Sequence, residues 1–195
     1  MQTFVAGGLF ASRHGYALGA YRPLYLKQNG EKVKNPAFDQ YSQHVLNLKS
    51  GTHPRYAEPS IKFCMRELQE FLNSGIKLTD AEFLIVPSCT QGKTSESLER
   101  IVKSVCKTDK RFSYRPQALS RQKSIEKLAK GGNRSIDVHV ASLAYTDDPN
   151  ASHTKIILDD VLTSGNSIEG AIRVIEQVRA GLFFVPIVFG KTTHD

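Results

Sequence analysis

With 195 residues, 40% of them hydrophobic and 23% charged, the chain has the composition of one folded domain, which excludes a disordered tail and a membrane-embedded bundle. A formal charge of +7 draws polyanions, a class that covers phosphate-rich small ligands, RNA and DNA alike. No apolar run reaches the roughly 20 residues a bilayer span needs. The opening MQTFVAGGLFASRHG has no basic stretch ahead of its apolar residues, so it does not read as a signal peptide, and the default expectation is a cytoplasmic protein without a membrane partner. Cys64, Cys89 and Cys106 are odd in number and form no C-x-x-C pair. They read as reduced thiols, two of them in the core.

In chain order, the first part, roughly 1–50, carries Gly, Pro and Tyr in a pattern of short strands and turns, with 16–25 as the best strand or hairpin arm. It is expected to form a small hairpin or hood element in front of an α/β core over 55–195. A helix is expected from Pro59, with Ile61, Cys64, Met65, Leu68, Phe71 and Leu72 on its buried face and Gly75 at its end. Phe83 to Pro87 is a short apolar strand, followed by the polar loop PSCTQGKTSES and a helix that buries Leu98, Ile101, Val102 and Val105. Its N-cap falls at Thr94 or Ser95.

Further along, a second helix is expected over 121–130, a strand over 136–140 and another strand over 155–158 that runs into two aspartates. Ile168, Ala171, Ile172, Ile175 and Val178 mark an amphipathic helix closed by Gly181, and the strand 183–189 follows. Strands alternating with helices of this length predict a mostly parallel sheet flanked by helices, with ligands at the carboxyl ends of the strands. The loops after Leu158 and after Pro87 both belong to that edge. The six histidines show no metal-ligand spacing, and His139 reads as a packed or surface residue of the 136–140 strand.

The segment IILDDVLTSGNS joins a buried strand, an acidic pair and a turn rich in hydroxyls that opens onto the amphipathic helix. Unpaired amides and the positive dipole end at a helix start suit a phosphate. Gly165 lets the backbone approach closely, and Thr163, Ser164 and Ser167 offer hydroxyl donors beside Asn166. Asp159 and Asp160 are poor partners for a phosphate. They suit the hydroxyls of a sugar or a nearby cation.

This run resembles the phosphoribosyl-pyrophosphate motif of the type I phosphoribosyltransferases. The resemblance implies an α/β fold of that type, and it gives Asp159 and Asp160 the ribose and the catalytic role. It gives Thr163, Ser164, Gly165, Asn166 and Ser167 the 5-phosphate. The implied substrate is magnesium phosphoribosyl-pyrophosphate or another sugar phosphate, with the Mg²⁺ carried by the ligand and held in part by the acid pair, and the implied reaction transfers the phosphoribosyl group to a nitrogen nucleophile. Lys155 stands where the family has a fourth apolar residue, and Thr163 stands where its 6-oxopurine enzymes carry an aspartate, which speaks against purine salvage. In that family an earlier strand-end loop meets the pyrophosphate. Here that assigns Ser88, Cys89, Thr90, Gly92 and Lys93, and the basic stretch adds Arg115 and Lys123, with Gln117 and Arg121 as further members of a closing loop.

The arm 16–25, the stretch HVLNLKSGTHPRYAEPS and YRPQALSRQ also resemble landmarks of the ComF-like branch, without its cysteine-rich zinc element. Two rival readings stay open. One is a ComF-like regulatory or nucleic-acid-binding protein without turnover, motivated by the +7 charge. The other is a P-loop nucleotidase built on Gly92-Lys93-Thr94, in which Pro87 replaces the first glycine of the cradle. A homodimer is compatible with the sequence, and the acceptor base is not specified by it.

Overall fold

The computed structural model describes residues 2–5, 14–49, 52–126 and 135–193. Its centre is a six-stranded sheet of β1 (Gln2–Val5), β2 (His14–Tyr21), β5 (Ala81–Ile85), β6 (Phe112–Tyr114), β9 (Thr154–Leu162) and β10 (Phe183–Thr192), in the order β1-β2-β10-β9-β5-β6. Five of these strands, β2 to β6 in that order, run parallel, and β1 pairs antiparallel at the edge. Two small antiparallel pairs stand beside it, β3 (Tyr25–Gln28) with β4 (Glu31–Lys34) and β7 (Leu119–Arg121) with β8 (Leu143–Tyr145). The described helices are α1 (Gln40–Asn47), α2 (Pro54–Ser74), α3 (Glu96–Thr108), α4 (Ile136–Val140) and α5 (Asn166–Val178).

Side-chain alternation along the strands builds a core on each face of the sheet. On one face Phe83, Ile85, Ile156, Leu158, Val185, Ile187 and Phe189 pack against α1, α2 and α3. On the other, Leu84, Ile157, Phe184 and Val188 meet α5 and the β7–β8 pair. The fold is therefore α/β, a parallel sheet flanked by helices. β2 lies inside the sheet next to β10, so within residues 14–49 it is the β3–β4 ribbon, not the whole segment, that stands apart from the core. Among the described residues no helix is long and apolar enough to cross a membrane.

Several elements differ from the sequence expectation, each for a physical reason. Residues 136–140 form a helix and not a strand, because the Ser135 side chain accepts from the Val138 amide and Asp137 sits in the first turn. Those cap signals outweigh the β-branched composition. Arg121 ends a strand, β7, where a helix was expected to start; residues 127–130 of that expected helix lie outside the described residues. α2 begins at Pro54, capped by the His53 side chain, and carries Pro59 inside it on an exposed position. Gly75 ends it as expected, and Ser95 caps α3.

Of the three free thiols Cys64 alone is buried, while Cys89 and Cys106 are half-buried, so one cysteine and not two belongs fully to the core. Burial pushes the Cys64 thiol up to about 12 and the Cys106 thiol up to about 11, which keeps both unreactive at neutral pH.

Lys155, the departure from an apolar strand noted above, is fully buried. Its ammonium lies 2.5 Å from a carboxylate oxygen of Glu82, its register neighbour on β5, and Glu82 is buried as well.

A candidate sugar-phosphate site at the strand ends

The parallel strands bring their carboxyl ends to one edge, and β9 carries the acidic pair there. Ile156, Ile157 and Leu158 are completely buried, and exposure returns at Asp159 and Asp160. The strand extends four residues beyond the expected end, because Asp159, Val161 and Leu162 stay in register with Val188, Gly190 and Lys191 of β10. The acid pair thus sits on a strand paired along its length.

Asp159 is the anchor of the site. The Asp160 amide donates to its Oδ1 at 2.8 Å, and the Ser167 hydroxyl of α5 donates to its Oδ2 at 3.1 Å. Burial, and then the charge of Asp160, hold the Asp159 carboxyl well above the ordinary carboxylate range, against the downward pull of those two hydrogen bonds. Asp160 in turn accepts from the Val161 amide at 2.7 Å, and its charge adds to burial in raising the Tyr21 hydroxyl. Two crowded carboxylates in one place are a costly arrangement. A ligand that brings hydroxyl donors or a cation relieves it.

The turn after β9 carries the other half of the candidate site. Thr163 and Ser164 are exposed, and Gly165, at φ 80°, takes the left-handed conformation that swings the chain into α5. Asp39, His53, Ser95 and Ser135 cap α1 to α4 with their side chains, whereas α5 has no side-chain cap. The Asn166 amide donates to Ser164 Oγ at 3.5 Å, so what the turn offers an anion is the dipole end of α5 and the amides that follow Asn166. Of the turn residues Ser167 is joined to Asp159, and Thr163 and Ser164 stand exposed beside it in the chain.

The loop after β5 runs alongside, because the Val86 amide donates to the Leu158 carbonyl at 2.9 Å, one residue before Asp159. Its backbone is largely self-satisfied. The Ser88 amide donates to Lys93 O, the Thr90 amide to Ser88 Oγ, the Gly92 amide to Arg121 O and the Lys93 amide to Thr90 O. The Gly92 amide is thus engaged inside the protein and does not serve as a phosphate donor, which also removes the cradle that a P-loop needs. Lys93 and Thr90 are exposed, and Cys89 contributes a carbonyl that accepts from the Ile125 amide. With Gln91 N donating to Ser124 Oγ at 2.9 Å, the segment 121–125 is zipped to this loop and brings the exposed Lys123 close to it.

Two expected members of the site have other duties. Arg115 turns to Glu82, at 3.2 Å, and over the Tyr145 ring, so it joins the buried Lys155–Glu82 pair and does not face the pyrophosphate loop. Arg121 is buried, with 1% of its surface exposed. Its guanidinium donates to the Ser88 and Pro87 carbonyls and to Ser142 Oγ, and meets His139 Nδ1 at 3.4 Å. It is a strut that ties the loop to α4, not a phosphate ligand. His139, itself buried in α4, packs so closely on α5 that a methyl at Gly170 would come within 2.4 Å of its Cβ.

Lys191 is a cation that the backbone register places at this strand edge and that sequence reasoning did not single out. It lies on β10 in register with Leu162, one residue from the turn, and the signal for it is a lysine at the carboxyl end of an otherwise apolar strand parallel to β9. A hollow of about 400 Å³ lined by Gln69, Leu72, Asn73, Val105, Thr108 and Asp109 lies at the other end of the strands, ahead of β6, and takes no part in this edge.

Among the described residues no cluster of three or more His, Cys, Asp or Glu could hold a metal by itself. The acid pair still fits magnesium, which typically takes one or two protein carboxylates and completes its shell with phosphate oxygens and water. Compared with models of known protein families the chain matches none, and no curated protein matches it.

Proposed function

We propose that the chain is a phosphoribosyltransferase-like protein of the type I kind, which binds magnesium phosphoribosyl-pyrophosphate at the edge formed by β9, the 163–167 turn and the loop after β5. The observation that carries this reading is the hydrogen bond from Ser167 to Asp159, because it joins a hydroxyl-binding acid pair to a helix start with no side-chain cap. A sugar phosphate presents both kinds of group, hydroxyls at one end and a phosphate at the other.

In the reaction a nitrogen nucleophile forms a bond to the anomeric carbon, and the bond from that carbon to pyrophosphate breaks, with the electron pair leaving on pyrophosphate. Asp159 and Asp160 hold the ribose hydroxyls and face a sugar that gains positive character. The 163–167 turn fixes the 5-phosphate, and Lys93 and Lys123 supply cationic charge on the leaving-group side. Asp159 and Asp160 would hold a magnesium ion that arrives with the ligand, and it would supply neutralisation of phosphate charge.

A thermal-shift series tests this reading. Saturating phosphoribosyl-pyrophosphate with magnesium, at about 100 times its Kd, is expected to add about 2.7 kcal/mol of stability. That corresponds to a rise of roughly 5–10 °C in Tm for a domain of this size. Ribose 5-phosphate should give a smaller rise and ATP none. A flat response to phosphoribosyl-pyrophosphate, or an equal response to ATP, sinks the proposal.

A further inference from the structure

The β3–β4 ribbon follows β2 directly, so its root lies at the same sheet edge as the acid pair, and it is held there by Arg22 to Asp39 at 2.7 Å and by Asn35 Nδ2 to Pro23 O at 3.0 Å. Asn29 and Gly30, at φ 50° and 86°, make the two-residue turn that antiparallel ribbons favour. Every strand residue of the ribbon except Leu26 is exposed. The register pairs Tyr25 with Lys34, Leu26 with Val33, Lys27 with Lys32 and Gln28 with Glu31. Residues directly opposite share a face, so Tyr25, Lys27, Lys32 and Lys34 form one face and Leu26, Val33, Gln28 and Glu31 the other.

The first face has an electrostatic defect. Lys27 and Lys32 stand directly opposite each other, where like charges destabilise a ribbon, and the ribbon's acid, Glu31, is on the other side. Among the described residues no carboxylate lies within ion-pair distance of Lys27, Lys32 or Lys34. A solvated ribbon gains nothing from that arrangement, but an anionic strand laid along it gains three cations spaced at strand distances. Tyr25, 57% exposed at the end of the same face, adds a flat aromatic surface. Lysines that track phosphates beside an aromatic ring that stacks a base are the combination that binds single-stranded nucleic acid, whereas an acidic protein segment would make no use of the ring.

We infer that the ribbon face carrying Tyr25, Lys27, Lys32 and Lys34 is a docking surface for single-stranded nucleic acid. This surface is separate from the sugar-phosphate site and does not depend on that reading. The test uses fluorescence anisotropy with labelled dT12 and U12 oligonucleotides, titrated with the full chain between 50 and 200 mM salt. Lys27→Gln/Lys32→Gln/Lys34→Gln should weaken binding at least about tenfold at low salt and flatten the slope of log K against log salt by about 2, the value for three phosphate contacts on a single strand. Tyr25→Ala should weaken it about fivefold or more. Lys62→Gln/Lys77→Gln/Lys110→Gln removes the same charge from exposed positions elsewhere and should change affinity less than threefold. Equal losses in the two triple variants, no effect of Tyr25→Ala, or displacement by polyglutamate or anionic vesicles as readily as by unlabelled oligonucleotide would overturn the inference.

Discussion

Glu82→Leu should destabilise the protein by about 3–5 kcal/mol, because it strands the fully buried Lys155 ammonium without a carboxylate. The asymmetry of the cluster makes the prediction sharper. Glu82 holds two cations, Lys155 at 2.5 Å and Arg115 at 3.2 Å. Lys155→Met therefore leaves Glu82 neutralised by Arg115 and replaces a buried charge by an apolar chain, so it should cost far less than Glu82→Leu. The double variant Glu82→Leu/Lys155→Met should recover most of the loss, since a buried ion pair replaced by apolar groups of similar volume is often close to neutral. Urea midpoints of the three variants measure this directly. A Lys155→Met penalty as large as that of Glu82→Leu would show that the pair is not arranged as described.

Arg121→Met should cost about 3 kcal/mol and loosen the loop after β5 more than the rest of the molecule. The guanidinium is a charged donor to the Pro87 and Ser88 carbonyls, and hydrogen bonds to charged groups are worth about 1.5–3 kcal/mol each. Arg121→Lys keeps the charge but lacks the planar fork that reaches Ser142 and the loop together, so it should rescue only part of the loss. Native-state trypsin cleavage after Lys93 reads the local effect, because it follows opening of this loop as well as global unfolding. Cleavage should accelerate by more than the change in global stability accounts for. Wild-type cleavage rates in Arg121→Met would remove the strut from this account.

The β9–turn–α5 unit is legible in the sequence because its signals are local. An apolar run, two acids, a Thr/Ser/Gly turn and helical periodicity at Ile168, Ile172 and Ile175 all agree on one geometry. The extension of β9 to Leu162 is not local. It comes from pairing with β10, whose partner residues lie about 30 positions away. Residues 136–140 are β-branched in composition, yet a single capping serine decides for helix. The sequence reading places a strand or hairpin arm at 16–25; β2 supplies the strand over His14–Tyr21 and enters the central sheet, while Asn29-Gly30 is the local signal that marks the turn of the ribbon that follows.

Side-chain destinations were the least legible part. Arg115, Arg121 and Lys123 look alike in a basic segment, and the fold sends the first to a buried glutamate, the second into the interior and the third to the surface. Only partners distant in sequence, Glu82 and the Pro87–Ser88 carbonyls, tell them apart.

The central claim is that the acid pair on β9 grips the sugar of a bound phosphoribosyl-pyrophosphate. Calorimetric titration of phosphoribosyl-pyrophosphate with magnesium into the wild-type chain and into Asp159→Asn/Asp160→Asn tests it most directly. The wild type should give a saturable heat and the double variant none. The variant should fold at least as stably as the wild type, because it removes the buried charge and the repulsion from Asp160 that together hold Asp159 above its ordinary range. Equal affinity in the two proteins would contradict the account.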